Sequence, residues 1–595
     1  MAARKTALPP RAAVRYRVRL APHAHRLEVR LTIARPAARQ TLSLPVWIPG
    51  SYLVREFSGQ LLRIEAQQAG KSVAVAQTGK NSWELCADPK RALHVCYEVH
   101  AHDPSVRAAW LDQERGFFNG TSVCLCAHGQ QDAAHELTVL PPPGGADWSL
   151  ATALLPVRIG RNGFGSYRSA NYDELVDSPV EVGAFWSGQF QARGVPHRLV
   201  VAGAPPSFDG QRLLADVRRI CEAAIGFWHG ARGKAPHGRY LFLLNALHEG
   251  YGGLEHCHGA ALQCARKDLP RLGEAGPPGE GYTGLLGLIS HEYFHLWNVK
   301  RLRPAELARY DYQRENHTHL LWFFEGFTSY YDDLLLLRAG LIDTAAYLKL
   351  LASHINQVRQ TPGRRVQSVA QASFEAWTKY YRPDANTPNA TVSYYTKGAL
   401  VALCLDLTLR QQGRGTLDGV MRALWRRCAG GPMTEADLLA ALHAQSGRSW
   451  AHELAAWVHG TGALPLKALL RAQGVRVQEE AAPLAQRLGL RVHEHAGILI
   501  KTVLTGSAAE AAGMAPGDEW LGIELPTGGW RLMKLDELPL YTGAARRCTA
   551  VVARERQLLR LPLALTQQAS AWRLLPPAEA TGVQPRRAVH TWPVR

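Results

Sequence analysis

The chain has 595 residues, which at roughly 100–200 residues per domain is enough for about three to five domains. Hydrophobic residues make up 46% of it, and this globular proportion excludes wholesale disorder. Lysine plus arginine outnumber aspartate plus glutamate by 68 to 50, a net charge of +18. No apolar run reaches the roughly 18 residues that span a bilayer, so we expect no transmembrane segment.

The basic residues are scattered through the chain rather than gathered on one face or in one tail, so we expect no nucleic-acid partner. The N-terminus carries charges without the apolar segment of a secretory signal, and the expected location is therefore the cytoplasm. Ten cysteines in such a chain indicate reduced thiols. Cys124 and Cys126 lack the second pair that a structural zinc site needs, which favours core packing.

Residues 1–190 have the pattern of a β-rich domain. Apolar and polar residues alternate over 14–20 and 27–33, which predicts two strands. Turn-forming pairs such as Pro49-Gly50 recur at short intervals. This pattern predicts an antiparallel β-domain.

Residues 191–465 form a second predicted domain, in which long helical stretches replace most of the strands. Strands are predicted at 199–202 and 240–245, with a helix over 213–227 between them. The part from 284 to 460 is mostly helical by pattern.

A third domain is predicted over 480–566. A strand at 498–503 precedes a short helix that begins at Ser507 and ends at Gly513, and a second strand follows at 520–523. The fold class predicted for the whole chain is therefore multidomain α+β.

Residues 567–595 are rich in proline and arginine. We expect them to form a loose C-terminal tail.

The most informative segment has the pattern H-E-x-x-H, formed by His291, Glu292 and His295 inside the apolar stretch 285–299. Residues four apart share a helix face, so both histidines can contact one ion. Glu292 can face the open coordination position and take a proton from water there. Neutral imidazoles at this spacing suit zinc, although two histidines on an ordinary helix give the same pattern.

A catalytic zinc needs a third protein ligand, and Glu325 is the candidate. It is an acid inside the apolar and aromatic run 322–331, where a carboxylate is costly to bury unless it is paired or metal-bound. The rival ligands Glu315, His317 and His319 lie in a polar stretch that indicates a loop. A structural zinc site, the alternative, has four protein ligands that are usually rich in cysteine.

The segment 250–256 follows the predicted strand at 240–245 and is rich in glycine. Gly252 and Gly253 would let a substrate approach the backbone closely, and Glu255 could hold a cation. A simple glycine turn is the alternative. His256 and His258, two residues apart, could also bind a metal together. Unlike the H-E-x-x-H pattern, this pair has no glutamate placed to act as a general base.

The segment 393–398 contains two adjacent tyrosines, Tyr394 and Tyr395, shortly before Lys397 and Gly398. A tyrosine hydroxyl near a metal can stabilise a developing oxyanion. A packed aromatic residue with a satisfied hydroxyl is the alternative.

Together these motifs resemble the gluzincin metallopeptidases of the aminopeptidase N type, and more closely their PDZ-containing relatives, the glycyl-aminopeptidase family. The segments 47–57, 115–122 and 291–304 are similar to extended signatures of that family. The resemblance covers about 15–566. It implies a β-rich N-terminal domain, a thermolysin-like catalytic domain and a PDZ-like domain, whose core the segment 506–518 resembles.

The resemblance also implies roles for individual residues. The expected ligands of one zinc ion per chain are His291, His295 and Glu325. By the same likeness, the general base, the transition-state tyrosine and the substrate-binding residues are Glu292, Tyr395, Glu255, Gly252 and Gly253. The interval from His295 to Glu325 is longer than in aminopeptidase N itself, though it fits the closer family.

The function implied is a zinc aminopeptidase that removes N-terminal glycine or alanine from peptides. One alternative is an endopeptidase that cleaves unfolded or tagged proteins delivered by the PDZ-like domain. Another is a non-catalytic PDZ scaffold with structural zinc. The carboxylate loop typical of PDZ domains is not recognisable, so capture of a C-terminal peptide ligand there stays open.

Overall fold

The computed structural model describes residues 12–231, 233–565 and 569–577 together with Trp592, and these fall into two units. The first unit comprises the described residues up to Asn316 with Tyr331–Ile342 and Trp425–Thr434. The second unit comprises the rest.

The first unit begins with the predicted antiparallel β-domain. Val14, Tyr16, Val18 and Leu20 are each at most 1% exposed, as the period-two alternation predicts. The spatial order of its largest sheet is Leu155–Ile159, Gly165–Ser169, His135–Val139, Val14–Ala21, Arg26–Ile33, Leu93–His100, Leu61–Gln68 and Lys71–Val73.

Two smaller antiparallel sheets complete this β-domain. The order of one is Ser149–Thr152, Val180–Gly183, Arg115–Phe118 and Ala109–Leu111. The order of the other is Cys126–Ala127, Arg39–Ser43, Ser82–Cys86 and Val75–Gly79. Cys124 is fully buried and Cys126 is 7% exposed, and burial raises the pKa of each thiol to about 12.

A mixed sheet follows in the same unit, and the strand at its edge contains the predicted substrate-binding residues Gly252, Gly253 and Glu255. Its order is Trp186–Ala192, Val195–Ala202, Tyr240–Leu247, Gly259–Ala265 and Gly252–His256. The strand Trp186–Ala192, which spans the predicted boundary at residue 190, joins this sheet because a hairpin links it to Val195–Ala202. We call Gly252–His256 the edge strand.

Two long helices of the first unit accompany this sheet. Helix Gly210–His229 begins where the Asp209 carboxylate accepts hydrogen bonds from the amides of Gln211 and Arg212. Helix Glu280–Phe294, which we call the motif helix, carries the H-E-x-x-H sequence. None of the described helices is long and apolar enough to cross a membrane.

The second unit is mainly helical before residue 473. Its longer helices are Thr344–Arg359, Tyr394–Gln411, Glu435–Ser446 and Leu466–Ala472. Shorter helices are Val369–Phe374, Thr387–Ala390 and Ala451–Leu454. Helices Leu321–Arg338 and Leu417–Arg427 each have residues in both units. We call Tyr394–Gln411 the Tyr395 helix.

A C-terminal β-domain with its own core around Trp520 ends this unit. Its sheet has the order Leu490–Glu494, Ile498–Val503, Glu519–Leu525, Arg547–Arg554 and Gln557–Ala564, and Gly528–Arg531 also pairs with Glu519–Leu525. Its short helices are Leu484–Leu488, Ala508–Ala511 and Leu538–Thr542. Ser507 caps the second of these helices by accepting a hydrogen bond from the amide of Glu510, as predicted.

Part of the predicted loose tail is ordered instead. Strand Ser570–Leu575 pairs with Arg476–Ala481, and Trp572 and Leu574, two residues apart on one face of the strand, are both buried. Asn356 bonds both backbone groups of Trp572, with its Oδ1 accepting at 2.7 Å and its Nδ2 donating at 2.8 Å. Apart from Trp592, the predicted tail beyond residue 577 lies outside the described residues, as do 566–568.

Candidate active site

The two histidines of the H-E-x-x-H sequence share one face at the end of the motif helix. His291 lies in its last turn, and His295 follows it directly with helical backbone angles. Their ring centroids are 4.6 Å apart. The predicted helix and the predicted pairing of the rings are both present.

Each histidine is held by a hydrogen bond at its Nδ1, the ring nitrogen nearer the backbone. The Nδ1 of His291 is 3.0 Å from the Asp332 Oδ2, and the Nδ1 of His295 is 2.8 Å from the Asn298 carbonyl oxygen. An oxygen acceptor at Nδ1 requires the proton there, which leaves the Nε2 lone pair available for a metal. This tautomer suits zinc ligation.

Glu325 is the acid that accompanies these histidines. It is 2% exposed, and ligand atoms of His291, His295 and Glu325 all lie within 4.8 Å of one another. Two imidazoles and one carboxylate form a donor set that suits a catalytic zinc ion. Among the described residues, none of Glu315, His317 and His319 belongs to such a group. His317 instead lies 2.9 Å from the Phe374 carbonyl oxygen through its Nδ1.

The edge strand lies directly against Glu292. A Cβ on Gly253 would overlap the Glu292 carboxylate, so only glycine allows this approach. The Arg107 Nη2 donates to the Gly253 carbonyl oxygen at 3.0 Å, and the Arg107 Nη1 would lie 3.7 Å from a Cβ built on Gly252. Gly253 therefore packs against the protein's own general-base candidate, and the approach of a substrate to Gly252 and Gly253 stays a prediction.

Glu255 lies on the same strand and is 5% exposed. Ligand atoms of Glu255, Glu292 and His295 form a second group within 4.8 Å of one another. Gly50, from the N-terminal β-domain, covers the carboxylate of Glu255. A Cβ on Gly50 would be 2.5 Å from the Glu255 Oε2, and the φ of +94° at Gly50 also favours glycine.

A buried ionic cluster supports the edge strand from behind. Asp177 lies 2.8 Å from the Lys300 Nζ and 3.2 Å from the His256 Nδ1, and it accepts a hydrogen bond from the Cys257 amide at 2.8 Å. Burial opposes the charge of Asp177, but Lys300 and His256 outweigh it and hold the pKa of that carboxyl well below its usual range. His256 is thus a support for the strand and not one of the grouped metal-ligand candidates.

Tyr395 lies in the first turn of the Tyr395 helix, in a cluster of aromatic residues. Its hydroxyl is 3.3 Å from the hydroxyl of Tyr381, and its ring stacks on Tyr380 and Tyr394. Burial, followed by the charge of Glu325, raises the pKa of Tyr395 well above its ordinary value. The hydroxyl therefore keeps its proton and can donate a hydrogen bond.

Several residues of this site were not predicted from the sequence. For Asp332 a signal existed, because it follows Glu325 by seven residues on one helix and so shares its face. Gly50 lies within one of the segments that carried the resemblance, but without an expected role. Nothing local in the sequence indicated Arg107 or Tyr381.

Residues 15–184 match the Peptidase M61 N-terminal domain, and residues 284–401 match the M61 glycyl aminopeptidase family. The crystal structure of an aminopeptidase N family protein from Idiomarina loihiensis is 35% identical to this chain, with a TM-score of 0.90. That match covers 95% of this chain and 98% of the other. An M1 zinc metallopeptidase from Deinococcus radiodurans is 18% identical over 77% of this chain and 97% of its own, with a TM-score of 0.48. No match was found among curated proteins.

Proposed function

Because this chain belongs to the M61 glycyl aminopeptidase family and is a zinc metallopeptidase, we propose that it removes small N-terminal residues, glycine or alanine, from peptides. The observation that carries the proposal is the contact of Gly50 with Glu255. From the position of Gly50 at the Glu255 carboxylate, we infer that its backbone closes the site beyond a substrate ammonium paired with Glu255. The chain of a longer substrate would have no room to continue there, which favours removal of the first residue over internal cleavage.

The distance between Glu255 and Glu292 is consistent with this role. Their carboxylates and the His295 ring belong to one group whose ligand atoms lie within 4.8 Å. An ammonium on Glu255 is therefore about one residue from a peptide bond attacked beside Glu292. The edge strand also offers backbone groups along which an extended peptide can pair.

His291, His295 and Glu325 would hold one zinc ion per chain. Zinc at such a site supplies Lewis-acid chemistry, polarising a carbonyl group and making water more acidic. The buried Glu325 and the tautomers fixed by Asp332 and Asn298 fit this ion.

Glu292 would act as the general base. It would accept a proton from the attacking water and pass it to the leaving amine. Gly253 packs on its carboxylate and restricts where that carboxylate can lie. Tyr395, protonated because its pKa is raised, would donate a hydrogen bond to the oxyanion that develops on the carbonyl oxygen.

The test pairs free-amine substrates with blocked ones. The p-nitroanilides of glycine and alanine should be cleaved, and the same amides should resist cleavage once they are N-acetylated. Glu292→Gln should keep zinc and lose about 10²–10⁴-fold in kcat, whereas Glu315→Gln, an exposed glutamate outside both ligand groups, should match the parent. Equal cleavage of free and acetylated substrates would contradict the aminopeptidase assignment.

The alternative is internal cleavage of chains delivered by the C-terminal domain acting as a PDZ-like module. Strand Leu490–Glu494 at the edge of its sheet is the feature that favours this reading, because an added peptide strand needs such an edge. Cleavage of an N-acetylated, unfolded protein, lost when its C-terminal carboxylate is amidated, would support it over the aminopeptidase.

A further inference from the structure

A cavity of about 600 Å³ lies within the second unit, on a part of the Tyr395 helix that includes Lys397 and Leu400. Helix Thr344–Arg359, the segment 461–468 and strand Ser570–Leu575 provide most of its other walls. The volume is in the range typical of sites for small molecules. Gly462 and Ala463 line the cavity and are exposed, so it opens to solvent there.

The side chain of Lys397 lines this cavity and is 2% exposed. Among the described residues, no hydrogen-bond partner lies in reach of its Nζ. Burial, followed by the charge of Arg364, lowers the pKa of Lys397 to about 8. A buried ammonium without a partner is costly, and a bound anion would remove that cost.

Two guanidinium groups add to the positive charge of the cavity. The Arg359 guanidinium lies 4.2 Å above the ring of Trp572 and donates from its Nη2 to the Ser570 Oγ at 3.2 Å. The Arg364 Nε donates to the Arg359 carbonyl oxygen at 3.3 Å. Among the described lining residues there is no aspartate or glutamate.

Lys467 also lines the cavity but differs from Lys397. Its Nζ pairs with the Glu479 carboxylate at 2.6 Å, and its side chain is 39% exposed. The charge of Lys467 is therefore already compensated. Among the described lining residues, Lys397 is a buried cation without an acidic partner, and Arg359 and Arg364 add to the positive charge around it.

The remaining walls are mostly apolar, contributed by Ile355, Val358, Leu400, Leu466 and Trp572. We propose that this cavity binds a small organic anion, a carboxylate or phosphate group attached to an apolar body. The anionic group would pair with Lys397 and the two arginines. The apolar body would pack on Trp572 and the aliphatic side chains.

This site is separate from the proposed active-site chemistry. Lys397 follows Tyr395 by two positions, and residues two apart on a helix point to nearly opposite sides. The binding can be measured without turnover, so its failure would leave the aminopeptidase proposal unaffected, and the reverse holds as well.

The experiment is calorimetric titration of the full zinc-loaded chain with 4-phenylbutyrate and with its uncharged analogue 4-phenylbutyramide. The carboxylate should bind and the amide should bind at least about tenfold more weakly, because it cannot pair with Lys397. Phenyl phosphate in a parallel titration shows which of the two anionic groups the cavity prefers.

Variants locate the binding. Lys397→Met should weaken 4-phenylbutyrate at least about tenfold, while Lys467→Met should stay within about twofold of the parent. Arg364→Gln provides a second variant should Lys397→Met not fold. Glu255→Gln should bind like the parent. Equal binding of acid and amide, absence of binding by both anions, or binding lost in Glu255→Gln but kept in Lys397→Met would overturn the proposal.

Discussion

Among the described residues, two lysines are buried almost completely, and their surroundings differ. Lys300 is 3% exposed and lies 2.8 Å from Asp177 behind the edge strand. Burial alone would lower its pKa, but Asp177 outweighs burial and raises the pKa of Lys300 above its ordinary value. Lys397 is 2% exposed and has its pKa lowered to about 8, because burial is not offset by an acid.

The difference separates two uses of a buried charge. The Lys300 ammonium is satisfied within the protein and fixes the strand that carries Glu255, so it is part of the architecture. The Lys397 ammonium is costly as it stands, and the cavity beside it has room for the anion that would compensate it. Substitutions that remove each charge should therefore have opposite effects on stability.

The largest effect is expected for Lys300→Met. It would leave the Asp177 carboxylate buried beside a neutral side chain, which costs about 3–5 kcal/mol of stability when one member of a buried pair is removed. The thermal midpoint measured by calorimetry should fall, and Asp177→Asn in the same chain should restore part of it. A fall of equal size in Lys397→Met would contradict the proposed difference between the two buried lysines.

Gly50→Ala moves a carboxylate near Lys300 without changing any charge. The new Cβ would lie 2.5 Å from the Glu255 Oε2, so that carboxylate must shift away from its place. We expect kcat/KM for glycine p-nitroanilide to fall about 10–100-fold, since misplacement of a binding group is costly.

The matched control for this change is Gly70→Ala. Gly70 has a φ of +79°, similar to the +94° of Gly50, but no atom lies within 4 Å of a Cβ built there. Backbone strain is thus shared, whereas the contact with Glu255 is not. Equal losses of kcat/KM in the two variants would mean that strain, and not the carboxylate, is responsible.

Asp332→Asn tests the His291 ring, whose Nδ1 is hydrogen-bonded within the protein just as the Lys300 ammonium is paired within it. Replacing the acceptor 3.0 Å from its Nδ1 weakens the preference for the zinc-binding tautomer. Zinc affinity, measured by competition with a chelator, should fall about 10–100-fold. The adjacent Asp333→Asn should have a smaller effect, because Asp332 is the residue that bonds His291. A larger loss in Asp333→Asn would refute this reading.

Local patterns were enough to predict the motif helix, two strands of the neighbouring sheet and the set of candidate ligands, but not the edge strand. Helix periodicity places His291 and His295 on one face, and an acid in an aromatic run identifies Glu325. Such patterns carry no information about contacts between residues far apart in the chain. The approach of Gly50 to Glu255 is a contact of this kind.

Burial of single residues was also hard to predict. Lys397 follows Tyr395 by two residues in the segment 393–398, and a lysine is expected at the surface. Strand Ser570–Leu575 lines the same cavity as Lys397, and it lies in a region whose proline and arginine content indicated a loose tail. Burial of the Trp572 and Leu574 side chains holds that strand in place despite the composition around it.

The smallest effect is expected for Lys397→Met, and its sign depends on pH. Below pH 8 the lysine is charged in both folded and unfolded chains, so the full cost of its burial is present. Between about pH 8 and its unfolded pKa near 10.5, the unfolded chain holds more protons, and stability rises with pH as the folded chain releases its proton. Methionine removes this cost, so the variant should exceed the parent in stability by about 1 kcal/mol or more at pH 7. This advantage in thermal midpoint should shrink at pH 10, where the parent's lysine is already neutral; a lower midpoint at both pH values would show that Lys397 has a partner in the folded protein.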